Sequence, residues 1–318
     1  MRTILVPLDG SQLAEHILPH VKTMAPLLGA DLRLLRVVSE AQMTGGESWG
    51  YALAAVYGVP ESEELQREYH DASMEALRQR AQAYLDAHAR VLKELDLTVT
   101  TDVRCGSPAE TIVQAASECG GDAMIAMATH GYGGLRRWAL GSVADKVIHA
   151  TNAPVLLVRG EAPATVHPPR RILVPLDGSG LAQQALPLAR ELAHAAHAEL
   201  ILLRAVVPMI EAYVGAPMLG RPIAESSEAI SSLREYALED LEAQATALRA
   251  ELLHILTHAI IGYPAEVIVD EAREMEVDLI VMATHGYGGL RRWALGSVAD
   301  KVLHATTTPL ILVRASEH

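Results

Sequence analysis

Two identical runs of 21 residues carry most of the chemistry this chain can offer. Met127-Ala128-Thr129-His130-Gly131-Tyr132-Gly133-Gly134-Leu135-Arg136-Arg137-Trp138-Ala139-Leu140-Gly141-Ser142-Val143-Ala144-Asp145-Lys146-Val147 returns unchanged as Met282 to Val302. The apolar lead-in, Ala123 to Met127, reads as a buried parallel strand. Three glycines follow, and Gly141-Ser142 opens an apolar-periodic run through Val143, Val147 and Ile148 that reads as a helix. A strand, a glycine loop and a helix N-terminus together make a place for an anion. Free N–H groups and the positive end of the helix dipole converge there.

Each candidate residue has a purely structural reading beside the chemical one. Ser142-Val143-Ala144-Asp145 is close to a capping box, so Ser142 and Ser297 either cap their helices or cap them and also meet a phosphate. Gly131, Gly133 and Gly134, with Gly286 and Gly288 in the second copy, make a turn or let a ligand approach the backbone. With Gly141 they exceed what one turn requires, which favours the ligand. Asp9 and Asp177 stand in a repeated Leu-Asp-Gly-Ser and are N-caps, Asx-turn residues or acceptors for ribose hydroxyls. His130 and His285 polarise a phosphate or bond locally. Arg136-Arg137 and Arg291-Arg292 read as solvated loop charges, and Trp138 and Trp293 as packing residues. The histidines lack metal-ligand spacing, so no metal ligand is assigned. No phosphate-binding Gly-x-x-x-x-Gly-Lys, dinucleotide fingerprint or nucleophile elbow occurs, and no catalytic residue is assigned.

The elements that must position these residues are themselves duplicated. Ile4 to Ser11 returns unchanged as Ile172 to Ser179, and Leu32 to Val38, Gly106 to Glu110 and Pro154 to Arg159 each have an echo in the second half. The stretch Gly160 to Pro169, with three prolines, reads as a short, stiff linker between domains at 1–160 and 168–318. In the first copy the pattern predicts a strand over Thr3 to Leu8 and a helix over Leu13 to Leu28, bent at Pro19, with Pro187 matching it. A strand over Asp31 to Val38, a long loop over Ser39 to Pro60 and a long helix over Ser62 to Leu95 follow. The copy continues with a strand over Leu97 to Arg104, a helix opening at Pro108, the glycine-loop strand with its helix, and a last strand, Val155 to Val158. Short apolar strands alternating with helices mean a doubly wound parallel α/β sheet. In such sheets ligands sit beyond the strands' carboxyl ends, where Asp9 and the glycine loop both fall.

Composition narrows the partners. A formal charge of −13 and a pI near 5.5 argue against nucleic acid. Two cysteines, Cys105 and Cys119, fit a reducing compartment. No leader and no membrane-length apolar run is read in the sequence, so a cytoplasmic protein is expected.

The motifs resemble those of the universal stress protein family in its tandem form, over almost the whole chain. That family carries Gly-x-x-Gly, nine residues, then Gly-Ser/Thr. Here Gly131 and Gly141-Ser142 match, as do Gly286 and Gly296-Ser297, while Ala128 and Ala283 replace the first glycine. The resemblance implies a Rossmann-like, flavodoxin-like strand order 3-2-1-4-5 in each half. It implies ATP, with Mg2+, bound at each motif. Asp9 and Asp177 would meet ribose, with Pro7 and Pro175 beside them. Val37-Val38 and Ala205-Val206 would meet adenine by backbone. Met127, Thr129, His130, Gly131, Gly133, Gly141, Ser142 and Val143 would surround the rest of the nucleotide, as would Met282, Thr284, His285, Gly286, Gly288, Gly296, Ser297 and Val298. The function implied is a nucleotide-dependent stress-response regulator with an unidentified protein partner. The alternatives are a slow ATPase or phosphotransferase using the same pocket, or a scaffold. Finally, the apolar last strands, Val155 to Val158 and Leu310 to Val313, carry nothing that blunts an edge. Family members pair through this strand, so an intrachain pseudo-dimer with these strands antiparallel is expected, and a homodimer of the whole chain stays open.

Overall fold

The computed structural model describes residues 2–39, 63–129, 141–159, 166–207, 227–251, 254–284 and 295–315. In the first repeat, β1 (Thr3–Pro7) leads into α1 (Gln12–Glu15) and α2 (Leu18–Leu27), then β2 (Asp31–Val38), α3 (Glu63–Lys93), β3 (Val99–Cys105), α4 (Pro108–Glu118), β4 (Ala123–Thr129), α5 (Ser142–Ala150) and β5 (Val155–Arg159). The second repeat follows the same sequence of elements: β6 (Arg171–Pro175), α6 (Gly180–Gln183), α7 (Leu186–Ala196), β7 (Glu199–Val206), α8 (Ser227–Arg249), β8 (Ile255–Ile261), α9 (Pro264–Glu274), β9 (Leu279–Ala283), α10 (Ser297–Ala305) and β10 (Leu310–Val313).

These elements gather into two compact units. One takes the described residues through Thr129 together with Gly141–Ala153, and the other takes those from Pro154 onward. The first unit holds the order β3-β2-β1-β4, all parallel where paired. The second holds β10-β9-β6-β7-β8, also parallel, which read from its far end is the expected 3-2-1-4-5. Central strands are apolar on both faces because helices cover both: Ile4, Leu5 and Val6, like Ile172, Leu173 and Val174, are fully buried. The long helices contribute one stripe each, Ala81, Leu85, Ala89 and Leu92 on α3 and Ala237, Leu241 and Ala245 on α8.

β5 belongs to the second unit, where it runs antiparallel to β10 with Leu157 opposite Leu310, Leu156 opposite Ile311 and Val155 opposite Leu312. Each of these six side chains is at most 2% exposed. The unblunted apolar edge of each last strand is therefore met by the other. Arg159, at the end of β5, donates to the carbonyl oxygens of Leu303 and His304 in the last turn of α10, a place that favours a cation.

One expected element is corrected. The helix after β1 does not bend at Pro19; it stops at Glu15 and restarts at Leu18, and the second repeat does the same around Pro187. Proline lacks an N–H and its ring clashes with the carbonyl four residues back. Placed in the first turn of a new helix, where that N–H has no intrahelical acceptor, it carries no such penalty. The other described helices and strands of the first repeat end within two residues of expectation. The loop expected after Ser39 lies outside the described residues.

Candidate functional site

The site is built from the carboxyl edge of each sheet. In the first repeat Pro7 pairs with Leu35, and Leu5 with Ile125. Counted onward, these registers set Val37, Asp9 and Thr129 level with one another across three neighbouring strands. In the second, Pro175 pairs with Leu203 and Leu173 with Ile280, so Ala205, Asp177 and Thr284 are level in the same way. Between β1 and β2, and between β6 and β7, the main chain keeps to this line just past the strands, because Leu8 N–H donates to Leu35 O and Leu176 N–H to Leu203 O, both at 2.8 Å.

The turn after β1 is held by side chains. Asp9 Oδ1 accepts from Ser11 N at 2.9 Å and from the Ser11 hydroxyl at 2.6 Å. The Ser11 Oγ accepts from Ala14 N at 3.1 Å and caps α1. In the second repeat Asp177 Oδ1 accepts from Ser179 N at 2.8 Å, and Ser179 caps α6. Of the readings open to these aspartates, the Asx turn is present and the N-cap is not, since serine fills that place. Asp9 is solvent-exposed, and among the described residues its other carboxylate oxygen makes no hydrogen bond.

The second wall is the N-terminus of α5 or α10. Here the capping reading of Ser142 and Ser297 is corrected: the N-caps are Gly141 and Gly296, and the serines are the first helical residues. Glycine has no side chain to cap with, so neither N-cap residue makes a side-chain capping bond. Among the described residues, the first N–H groups of both helices are thus left without an N-cap side chain as acceptor. In the second repeat Gly296 N–H donates to Thr284 O at 2.6 Å, which fixes this N-terminus at the end of β9. That is the residue level with Asp177.

The remaining expected positions divide by burial. Ser142 and Ser297 are exposed, while Pro7, Val37, Val143, Pro175, Ala205 and Val298 are half-buried around the edge. Val38, Val206, Met127, Met282, Thr129 and Thr284 are buried, so Val38 and Val206 offer a ligand only their backbone. His130, Gly131, Gly133, His285, Gly286 and Gly288 lie outside the described residues, as do Arg136, Arg137, Trp138 and their second-repeat counterparts.

Sequence reasoning missed two arginines. Arg36 on β2 and Arg204 on β7 each lay a guanidinium over the glycine that follows the aspartate, Gly10 or Gly178. Beside Arg36, the Tyr84 hydroxyl donates to Glu15 Oε1 at 2.9 Å. Burial first, and that carboxylate second, push the Tyr84 phenol above its ordinary range, so it stays protonated. The signal that could have found the arginines is their recurrence at one place in both copies, each between apolar neighbours in its strand.

The universal stress protein family model matches residues 1–159 and again 169–314. The chain belongs to the universal stress protein family. A universal stress protein of Mycolicibacterium smegmatis is 27% identical over 69% of this chain and 69% of its own length. One from Methanocaldococcus jannaschii is 32% identical over 50% of this chain and 94% of its own. Among solved structures, a universal stress protein from Archaeoglobus fulgidus matches 99% of this chain and 98% of its own at a TM-score of 0.67 and 18% identity. That likeness is one of fold. It accords with the doubly wound α/β units, and the double family match accords with their tandem arrangement.

Proposed function

We propose that this chain binds ATP at two sites, one per repeat, and works in the cytoplasm as a nucleotide-dependent stress-response regulator read by a protein partner. The observation that carries the reading is the juxtaposition of Asp177 and Gly296: an aspartate on one strand end, level with the residue that anchors an uncapped helix N-terminus on the next. A nucleotide needs both kinds of group. Its ribose hydroxyls donate to a carboxylate, and its phosphates accept from free N–H groups with a helix dipole behind them. The first repeat presents the same aspartate turn and the same uncapped helix.

Ala128 and Ala283 stand at the ends of β4 and β9, inside or next to paired backbone. Their methyl groups replace the glycine of the family pattern, while Gly141 and Gly296 keep the phosphate end open. Among the described residues no group of three acidic, histidine or cysteine side chains is placed to hold a metal. Mg2+ would accordingly arrive coordinated by the nucleotide's own phosphates. Among the described residues no helix is long and apolar enough to cross a membrane.

The test is to denature the purified protein and identify any nucleotide released, then to titrate stripped protein with ATP by calorimetry. The expected result is an adenine nucleotide and a stoichiometry of about two. Recovery of unchanged ATP after prolonged incubation supports a regulator, and steady ADP production supports an enzyme. No binding at either site defeats the reading.

A further inference from the structure

Arg36 and Arg204 occupy one position in the two repeats, immediately before Val37 and Ala205. Each sits against the turn that carries the site's aspartate. A β-carbon built on Gly10 would stand 3.0 Å from Arg36 Cζ, and one built on Gly178 would stand 2.9 Å from Arg204 Cζ. A side chain there would displace these guanidinium groups, and the φ of +84° and +85° at the two glycines favours glycine. A cation therefore lies against the turn that carries the carboxylate in both repeats.

What the two cations rest on differs. The core stripe Ala81, Leu85 and Ala89 of α3 matches Ala237, Leu241 and Ala245 of α8, which puts Tyr84 and Asp240 at equivalent places. Arg36 Cζ lies 4.9 Å from the centroid of the Tyr84 ring. Arg204 Nη1 lies 2.8 Å from Asp240 Oδ2, which also accepts from Gln244 Nε2 at 3.3 Å. Glu15, the carboxylate near Tyr84, is engaged by the Tyr84 hydroxyl and by His88 Nε2 at 3.4 Å. Among the described residues Arg36 makes no hydrogen bond and no ion pair. An aromatic face holds a cation without consuming its N–H donors. A carboxylate consumes a donor and cancels the charge.

We propose that the first repeat's site takes an adenine nucleotide carrying a phosphate on a ribose hydroxyl, 2′ or 3′, as well as on the 5′ carbon, with Arg36 as the residue that selects it, and that the second repeat's site does not. This rests on the reading that Asp9 and Asp177 face the ribose. A phosphate on the ribose edge gains paired N–H donors from Arg36. At the second site the same phosphate meets an arginine already matched by Asp240, and a like charge behind it.

The experiment uses the full chain, with Gly296→Glu to leave the first site open or Gly141→Glu to leave the second. The probes are ADP, adenosine 2′,5′-bisphosphate and adenosine 3′,5′-bisphosphate, which carry equal numbers of phosphates. With the first site open, one bisphosphate binds about tenfold more tightly than ADP, the scale of a charged hydrogen bond. With the second open, neither does. Tyr84→Phe keeps the preference, because the aromatic face remains, and Tyr84→Asp abolishes it. Asp240→Tyr creates it at the second site, a gain that misfolding cannot imitate. Bisphosphates binding the first site no better than ADP overturn the proposal, as does a preference that survives Tyr84→Asp. If ADP and ATP bind neither site, the nucleotide reading itself falls, and this inference with it.

Discussion

Gly296 donates its backbone N–H to the carbonyl of Thr284 at 2.6 Å, so the residue that caps α10 is tied to the residue that follows β9. Whatever path the intervening loop takes, the start of the helix cannot leave the strand end. Gly296 has φ −60° and ψ 145°, and Gly141 has φ −58° and ψ 138°, which are ordinary for any residue. A side chain at either place is tolerated by the backbone. Gly141→Glu and Gly296→Glu should each leave the circular dichroism spectrum unchanged and lower the ATP stoichiometry from about two to about one. A folded variant that still binds two equivalents would move the phosphate site elsewhere.

Ser142 and Ser297 open their helices without capping them, and both are exposed. Ser142→Ala with Ser297→Ala should leave stability within about 0.5 kcal/mol. ATP affinity should fall about fivefold, the worth of one hydroxyl at ~1 kcal/mol. Ser11→Ala removes a genuine cap and should cost about 1 kcal/mol in chemical denaturation. Equal losses of stability from the two kinds of substitution would contradict the assignment of caps.

Asp9 and Asp177 lie one strand away from the helix N-termini, level with Thr129 and Thr284. If they meet ribose, Asp9→Ala and Asp177→Ala should weaken adenosine and ATP by the same factor, as calorimetry can read. A loss confined to ATP would place the carboxylates at the phosphates instead.

His20 is buried in α2, its Nε2 finds no hydrogen-bond partner among the described residues, and burial lowers its pKa from 6.5 to about 4. The fold keeps the neutral ring. Between pH 6.5 and 4 the unfolded chain binds the extra proton, so stability falls as pH drops through that window and is insensitive to this group above it. The contribution is at most ~3.5 kcal/mol, at ~1.4 kcal/mol per pH unit. Leu188 fills the matching place in the second repeat, and His20→Leu should flatten the pH dependence of urea midpoints measured at pH 7.5 and 4.5. An unchanged slope would show that the ring is hydrated in the fold.

Leu156 and Ile311 face each other at the centre of the β5–β10 pair, 1% and 0% exposed. Leu156→Lys buries an unpaired ammonium at a cost of several kcal/mol. It should release the strand edges, and size-exclusion chromatography should show aggregation. Leu156→Val should stay monodisperse and lose only ~1 kcal/mol. A Lys variant that elutes and melts like the parent would mean that this pair contributes little.

Much of the fold was legible because its determinants are local. Ile4-Leu5-Val6 and Ile172-Leu173-Val174 are apolar runs too short for helices, and each is followed by turn residues whose hydrogen bonds span two or three positions. The aspartate turns, the two helix N-termini and the unblunted last strands could be read for the same reason. The break at Glu15 was misread as a bend because proline permits both, and only the main-chain hydrogen bonds of the neighbouring turns choose. Ser142 was misread as a cap because Ser-x-x-Asp does not say which residue first turns helical.

The sequence by itself determined that two α/β repeats each present an aspartate turn and a glycine-led helix at one end of a parallel sheet, since spacing within a few residues dictates turns, caps and strand periods. Only the tertiary structure decided that Arg36 rests on Tyr84 while Arg204 is matched by Asp240. Those contacts join residues far apart in the chain. They exist because strand pairing and helix packing bring the residues together, and no local pattern encodes which distant side chain a charged group will meet.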